Sequence, residues 1–405
     1  MAKQSESYQK LKKLVDQGRV NLRLILSPPR TGSTLMEALL FQLEEGQLSC
    51  HEPFVQLGYY GGSAEDGYQK IFARAGEASE ASPVNILIKE MSHWLGANQE
   101  YKRFLPLVKD PVLVLIRNPL LSIESRLRKV LQVWQMREKS ELIAWLQENL
   151  DTGGNQEIIE AQTCFLDEFA LSFGSPSWEF LLADRFARQD YRDFGPLLKI
   201  EGLFPADSSG WKALGEELIW LRQKKQDFML VDSTEFRLKP QFYSQEIARR
   251  WQVRNNGPVR EAVSQIDRLE IRMHKPHYQL WYDTLLESQE VKLPIEPVPR
   301  LGMFPEEIRA HLRETAIPVY VQAFTDEQRI KSNEGIISGE TLINGKSRLG
   351  EIDPYLTALL DPKRFSNGSL PTGKFVDPET WGVWQEYYQD LRRQEEERDF
   401  PGRRK

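Results

Sequence analysis

The sequence predicts an α/β fold built on a parallel sheet, with helices on both faces and a C-terminal extension. Three observations carry this. Asn21–Leu43 reads NLRLILSPPRTGSTLMEALLFQL, an apolar run, a loop with one glycine, then a helical period. Val112–Ile116 (VLVLI) is a second apolar run, and it passes through Arg117 and Asn118 into a helix opened by Pro119. Val84–Lys89 and Asp227–Asp232 are two more runs with the length and composition of buried parallel strands.

In the first unit, Leu22, Leu24, Ile25 and Leu26 form the strand, and Leu35, Met36, Leu39, Leu40 and Leu43 fall on one helical face. Unpaired N–H groups at the helix start, together with the helix dipole, favour an anion at the loop. The loop fails the nucleotidase pattern, which needs a first Gly and a Lys after the second. With the second glycine aligned on Gly32, Ser27 stands in the first Gly position and Ser33 in the Lys position. The cation comes earlier, at Arg30. Such a loop suits a doubly charged anion without a γ-phosphate and Mg²⁺. The rival is an ATP-dependent kinase or nucleotidase with an aberrant loop, whose magnesium-binding strand the run ending at Asp232 imitates.

The second unit has its own physical logic. Asn118 suits the helix cap and Pro119 the first helical position. Arg117 is then fixed at a strand's carboxyl end, the edge where open α/β sheets bind ligands. A guanidinium fork with a nearby hydroxyl is a phosphate clamp.

Arg30-Thr31-Gly32-Ser33-Thr34 after a strand resembles the 5′-phosphosulfate loop of sulfotransferases that use 3′-phosphoadenosine 5′-phosphosulfate (PAPS). Arg117, with Ser125 eight residues later, resembles the pair that grips the donor's 3′-phosphate in that family. The resemblance covers about residues 20–330 and implies a P-loop-like sulfotransferase fold. It implies transfer of a sulfuryl group from PAPS to a hydroxyl or amine of a small-molecule acceptor, with PAP as product and no metal required. Thr31, Gly32, Ser33 and Thr34 would bind the 5′-phosphosulfate, and Arg30 would neutralise the bridging oxygen, where many cytosolic relatives use Lys. Arg117 and Ser125 would select PAPS over ATP. His51-Glu52-Pro53 resembles a Glu-Pro that relatives carry near the acceptor, giving Glu52 or His51 a base or acceptor-binding role. Lys89-Glu90-Met91-Ser92-His93 loosely resembles a Lys-Thr-His segment of cytosolic members. Met91 takes the place of their His, so His93 is the candidate base and Lys89 the candidate partner for sulfuryl oxygens. A non-catalytic PAP-binding module is a further rival.

A net charge of −6 argues against nucleic-acid partners. Two cysteines, Cys50 and Cys164, supply neither a disulfide framework nor metal spacing and fit a reducing, cytoplasmic setting. No apolar run reaches membrane-spanning length, and the N-terminus lacks a signal-peptide core, so no membrane partner is expected. Oligomeric state and the acceptor's identity stay open.

The remaining elements follow in order. Residues 5–18 form an amphipathic helix through Tyr8, Leu11, Leu14 and Val15, and residues 47–50 a short strand. Residues 58–80 read as a loop with a short helix, where Tyr59 and Tyr60 either line an acceptor entry or pack. A helix runs from Leu120 to Trp145, on which Arg126 and Arg128 either assist the 3′-phosphate or face solvent. Residues 156–225 form an aromatic-rich helical layer over the sheet. His274 and His277 have no third ligand spaced with them. A helix pair at 305–330 ends the domain, residues 1–330. Residues 331–405 form a loop-rich extension with a charged tail, in which Lys346 and Arg348 stand where the family closes a late loop over the 3′-phosphate.

Overall fold

The computed structural model describes residues 5–55, 57, 62–76, 83–135, 176–194, 206–253, 291, 299 and 301–330. In chain order its main elements begin with α1 (Glu6–Asp16), β1 (Val20–Ser27), α2 (Ser33–Leu40), β2 (Leu48–His51), α3 (Ala64–Ala75) and β3 (Val84–Met91). They continue with α4 (Ser92–Gly96), α5 (Tyr101–Phe104), β4 (Val112–Ile116), α6 (Pro119–Gln135), α7 (Pro176–Arg188) and α8 (Trp211–Lys224). The last are β5 (Phe228–Asp232), α9 (Ser233–Leu238), α10 (Pro240–Arg250), α11 (Glu306–His311) and α12 (Ile317–Thr325).

The five strands form one parallel sheet in the order β2-β3-β1-β4-β5. Alternate side chains divide between two cores. Leu22, Leu24, Leu26, Val112, Val114 and Ile116 pack on one face with Leu11, Tyr68, Ile123 and Leu218 from the helices. Ile25, Leu87, Leu113, Leu115, Met229 and Val231 pack on the other with Met36, Leu39, Tyr243 and Ile247. Strands covered on both faces read as unbroken apolar runs, which is why VLVLI was legible as one. The α/β class, the parallel sheet and helices on both faces agree with the sequence expectation.

The chain winds outward from β1 to β2, returns to β3, and crosses to β4 on the far side of β1. The winding therefore reverses between β1 and β4, and the carboxyl ends of those neighbours flank a crevice of the kind that binds ligands in open α/β sheets.

Several boundaries differ from the sequence reading. Parallel pairing of Leu48–His51 with Ile86–Lys89 moves the second strand one residue on and places His51 inside it. Pairing of Ser27 with Met91 lengthens β3 past Lys89. The loop expected at 58–80 contains the 12-residue α3, capped by Ser63, whose hydroxyl accepts from the Glu65 amide, and buries Tyr68 and Ile71. The expected helix pair at 305–330 is one helical run, with a π turn at Leu312–Ala316 just before Pro318. Proline withdraws an amide from the ladder, and the wider turn absorbs the mismatch. Tyr59, Tyr60, Cys164, His274, His277, Lys346, Arg348, the part of the 120–145 helix beyond Gln135 and the whole 331–405 extension lie outside the described residues.

One contact shapes the crevice from above. Gly210, just before α8, has φ 77, and a Cβ there would lie 2.8 Å from Pro29 Cδ and 3.1 Å from Pro28 Cα. Only a glycine lets α8 start against the β1 loop with that backbone. Gly210→Ala is expected to lower unfolding free energy by about 2–4 kcal/mol, from left-handed strain plus overpacking. Denaturant titration reads this, and an unchanged midpoint contradicts the contact.

Candidate active site

The loop after β1 is held by its own side chains and by its neighbour strand. Thr31 is fully buried, and its hydroxyl donates to the Pro28 carbonyl at 2.9 Å, closing the turn. Gly32 caps α2 with φ 85 and has no side chain to satisfy the first-turn amides, and the first helical bond runs from Met36 N to Gly32 O at 3.1 Å. The amides of the first turn are thus aimed at the loop's mouth, as an anion site requires. A Cβ on Gly32 would meet Ser233 Oγ at 3.6 Å, so the start of α9 walls the loop on another side.

Arg30 adopts a left-handed backbone, φ 64, which costs a non-glycine residue about 1–2 kcal/mol. Two contacts hold it there. Arg117, at the end of β4 and 8 % exposed, donates from Nη1 to the Arg30 carbonyl at 3.0 Å. Arg30 Nε donates to Ser125 Oγ at 3.1 Å. Asn118 caps α6 as its sequence predicts, accepting from the Leu120 amide at 3.0 Å. Arg30, Arg117 and Ser125 are therefore joined by hydrogen bonds at the point where the strand order reverses, and Thr31, Gly32, Ser33 and Thr34 follow Arg30 along the loop.

Across β3 from this crevice lies a buried chain of charged groups. His51 Nδ1 is 2.6 Å from Glu37 Oε2, and Ser49 Oγ donates to Glu37 Oε1 at 2.7 Å. His51 Nε2 is 3.6 Å from Glu52 Oε1, and Glu52 in turn pairs with Lys89, which is fully buried. Burial alone would raise the Glu52 carboxyl, but the Lys89 ammonium, the neighbouring His51 and hydrogen bonds from Lys89 and Trp94 outweigh it and hold it below its usual range. Glu90 is the opposite case. It accepts from the Phe54 and Met91 amides at 2.8 Å each, yet burial first, and Glu52 second, push it up to about 8. Two adjoining carboxyls are thus driven apart, one ionised and one protonated at neutral pH. Glu52 and Lys89 are neither a solvated turn residue nor an exposed strand-end lysine.

His93 sits apart from that chain, on α4. Both ring nitrogens are closed to solvent with no hydrogen-bond partner, and the ring centroid is 3.7 Å from that of Trp94. Burial, then Arg126 and Lys89, hold its pKa well below the usual value, so the ring is uncharged. Arg126 Nη2 donates to Ser208 Oγ at 3.0 Å. Arg128 is not a solvated residue: it donates to Glu124, to Tyr191 Oη at 2.8 Å and to the Phe186 carbonyl at 2.8 Å, tying α7 to α6. Asp232 is likewise committed. Its Oδ1 accepts from the Thr234 and Glu235 amides and its Oδ2 from Tyr320 Oη at 3.0 Å.

Comparison with protein-family models, with curated proteins and with solved structures finds no match to this chain. Among the described residues no group of three or more His, Cys, Asp or Glu is placed to hold a metal, and no helix is long and apolar enough to cross a membrane. A surface cleft of about 690 Å³, lined by residues including Lys102, Trp220 and Gln226, shares no residue with the crevice or the charge chain.

Sequence reasoning missed Glu37, Ser49, Glu90 and Gly210. Glu37 had a faint signal, as the one acid in the otherwise apolar or small STLMEALL helix.

Glu90 makes stability depend on pH. Its folded pKa lies above the unfolded value of about 4.3, so the folded state binds more protons between the two. Its contribution is complete below about pH 4 and is lost as pH rises through about 8. Glu90→Gln is expected to flatten the fall in unfolding free energy between about pH 5 and 8. Denaturation of both proteins across that range measures it, and parallel curves would refute the assignment.

Proposed function

We propose that this chain transfers a sulfuryl group from PAPS to a hydroxyl or amine of a small-molecule acceptor, on a P-loop-like sulfotransferase fold. The observation that carries the reading is the junction of its two anion grips. Arg117 reaches from the end of β4 to the Arg30 carbonyl, and Arg30 reaches back to Ser125. The resemblance of the two motifs to sulfotransferases requires that they share one groove, and these contacts support that by joining the two motifs directly.

The residues fit a donor with an anion at each end. The first-turn amides of α2, reached across a residue without a Cβ, suit the 5′ anion. Arg117 would meet the 3′-phosphate, together with Ser125, whose oxygen accepts from Arg30 and whose O–H is left to donate. When bound, PAPS supplies a reactive sulfate–phosphate anhydride. The chain's task is then positioning and charge stabilisation. Arg30 would balance charge on the bridging oxygen without giving up a proton, because guanidinium stays protonated. Glu52, whose side chain stays 14 % exposed beside the buried Lys89, is the more accessible proton acceptor for the acceptor hydroxyl. His93 has both ring nitrogens closed to solvent, out of reach of an acceptor in this conformation.

The kinase reading starts without the loop Lys and loses its one sequence support, the Asp232 strand end. Ser33 occupies the Lys position, and the Asp232 oxygens are engaged by a helix cap and by Tyr320.

PAP is expected to bind and raise the melting temperature, whereas ATP with Mg²⁺ produces a smaller shift. Arg117→Ala is expected to weaken PAP by about 10–100-fold, from one lost charged contact and a loosened Arg30. Calorimetric titration checks both, and unchanged PAP affinity in the variant rules the grip out. PAP binding without label transfer from [³⁵S]PAPS to any of a broad acceptor panel would leave the non-catalytic module.

A further inference from the structure

Glu37 is placed where its chemistry needs a reason. It lies on α2, five residues beyond Gly32, and its side chain is fully buried. An acid sealed in a core is retained only with partners for its oxygens. Both partners come from β2: the Ser49 hydroxyl at 2.7 Å and His51 Nδ1 at 2.6 Å. Ser49 and His51 are two apart on a strand and so share a sheet face, the one covered by α2. The helix that presents the anion loop thus also grips the strand end that carries His51 and leads into Glu52.

We propose that Glu37 is a positioning residue for the acceptor side of the site: it fixes the ring and the Nδ1–H tautomer of His51, so that Nε2 confronts the Glu52–Lys89 pair. This rests on the sulfotransferase reading and deepens it. A carboxylate only accepts, so the hydrogen between Glu37 and His51 belongs to Nδ1. The Nε2 lone pair then faces Glu52 Oε1 across 3.6 Å, longer than a hydrogen bond and within reach of one after a small shift. As the acceptor's oxygen forms its bond to sulfur, the bond from sulfur to the bridging oxygen of PAPS breaks and PAP leaves with that electron pair, while the acceptor's O–H bond breaks and its proton passes to Glu52. The new carboxyl lies 3.6 Å from His51 Nε2, on the ring that Glu37 holds in place. Nothing is oxidised or reduced, and the proton stays within the Glu52–His51 pair until solvent takes it. The arrangement follows the logic of a base oriented by a third group.

The test uses the full chain labelled with ¹⁵N-histidine and long-range ¹H–¹⁵N correlation at pH 8. The chain has five histidines, so His51 is assigned by the signal lost in His51→Gln. The wild-type ring is expected to carry its hydrogen on Nδ1. In Glu37→Gln, whose amide can donate as well as accept, the Nε2–H form is expected to rise several-fold, while Ser49→Ala keeps the wild-type pattern. Unchanged tautomer populations in Glu37→Gln overturn the proposal. So does a wild-type His51 protonated at Nε2 alone, a result that decides the matter even if the variant does not fold. PAP titration of the same wild-type sample reports separately on the donor groove: failure to bind PAP alongside an intact Nδ1–H signal would sink the donor reading and leave the Glu37–His51 geometry standing.

Discussion

The hydrogen bond from the Arg117 guanidinium to the Arg30 carbonyl is the constraint on which the crevice depends. It joins the ends of two adjacent parallel strands, β1 and β4, at the place where the winding of the sheet reverses. Without a partner there, the left-handed Arg30 would relax toward an ordinary backbone and take the loop with it. Thr31, Gly32 and Gly210 then follow as consequences: a hydroxyl that closes the turn, a residue with no Cβ at the mouth, and a glycine that lets α8 begin against the prolines. The same guanidinium that shapes the loop is the one the proposed function assigns to a second anion.

The other half of the site obeys a different physics. Glu37, His51, Glu52, Lys89 and Glu90 are packed into the carboxyl ends of β2 and β3 and the helix beside them, where desolvating charge is costly unless each group finds a partner. The chain meets that cost by pairing Glu52 with Lys89, by hydrogen-bonding Glu37 to Ser49 and His51, and by leaving Glu90 protonated. The cationic contact between Arg30 and Arg117 and the buried chain of charged groups lie on either side of β3. Ser27 and Met91, paired across β1 and β3, mark where they meet.

Much of this was legible from sequence, for reasons that can be named. Parallel strands sealed on both faces print as apolar runs, and the Arg-Thr-Gly-Ser-Thr loop and the Arg117–Ser125 spacing are local patterns, so the strands and the two loops that meet at their ends could be read one motif at a time. Contacts across folded distance were not legible. The Glu37–His51 pair spans 14 positions and depends on how α2 lies over β2. Arg128 was read as solvated or phosphate-directed because Tyr191, its partner 63 positions on, is invisible from the helix itself. The length of α3 was hidden by flanking glycine and serine, and the continuous run from Glu306 to Thr325 by Pro318, which reads as a break yet is absorbed by a π turn. His93 looked the better base by residue type, and only burial revealed its depressed pKa.

The most direct measurement of the central claim is a crystal structure of the full chain with PAP. The account predicts its 5′-phosphate over the amides of Gly32, Ser33 and Thr34, and its 3′-phosphate between Arg117 and Ser125, with the Arg117–Arg30 contact retained. PAP seated anywhere else, or a 3′-phosphate turned away from Arg117, would contradict it.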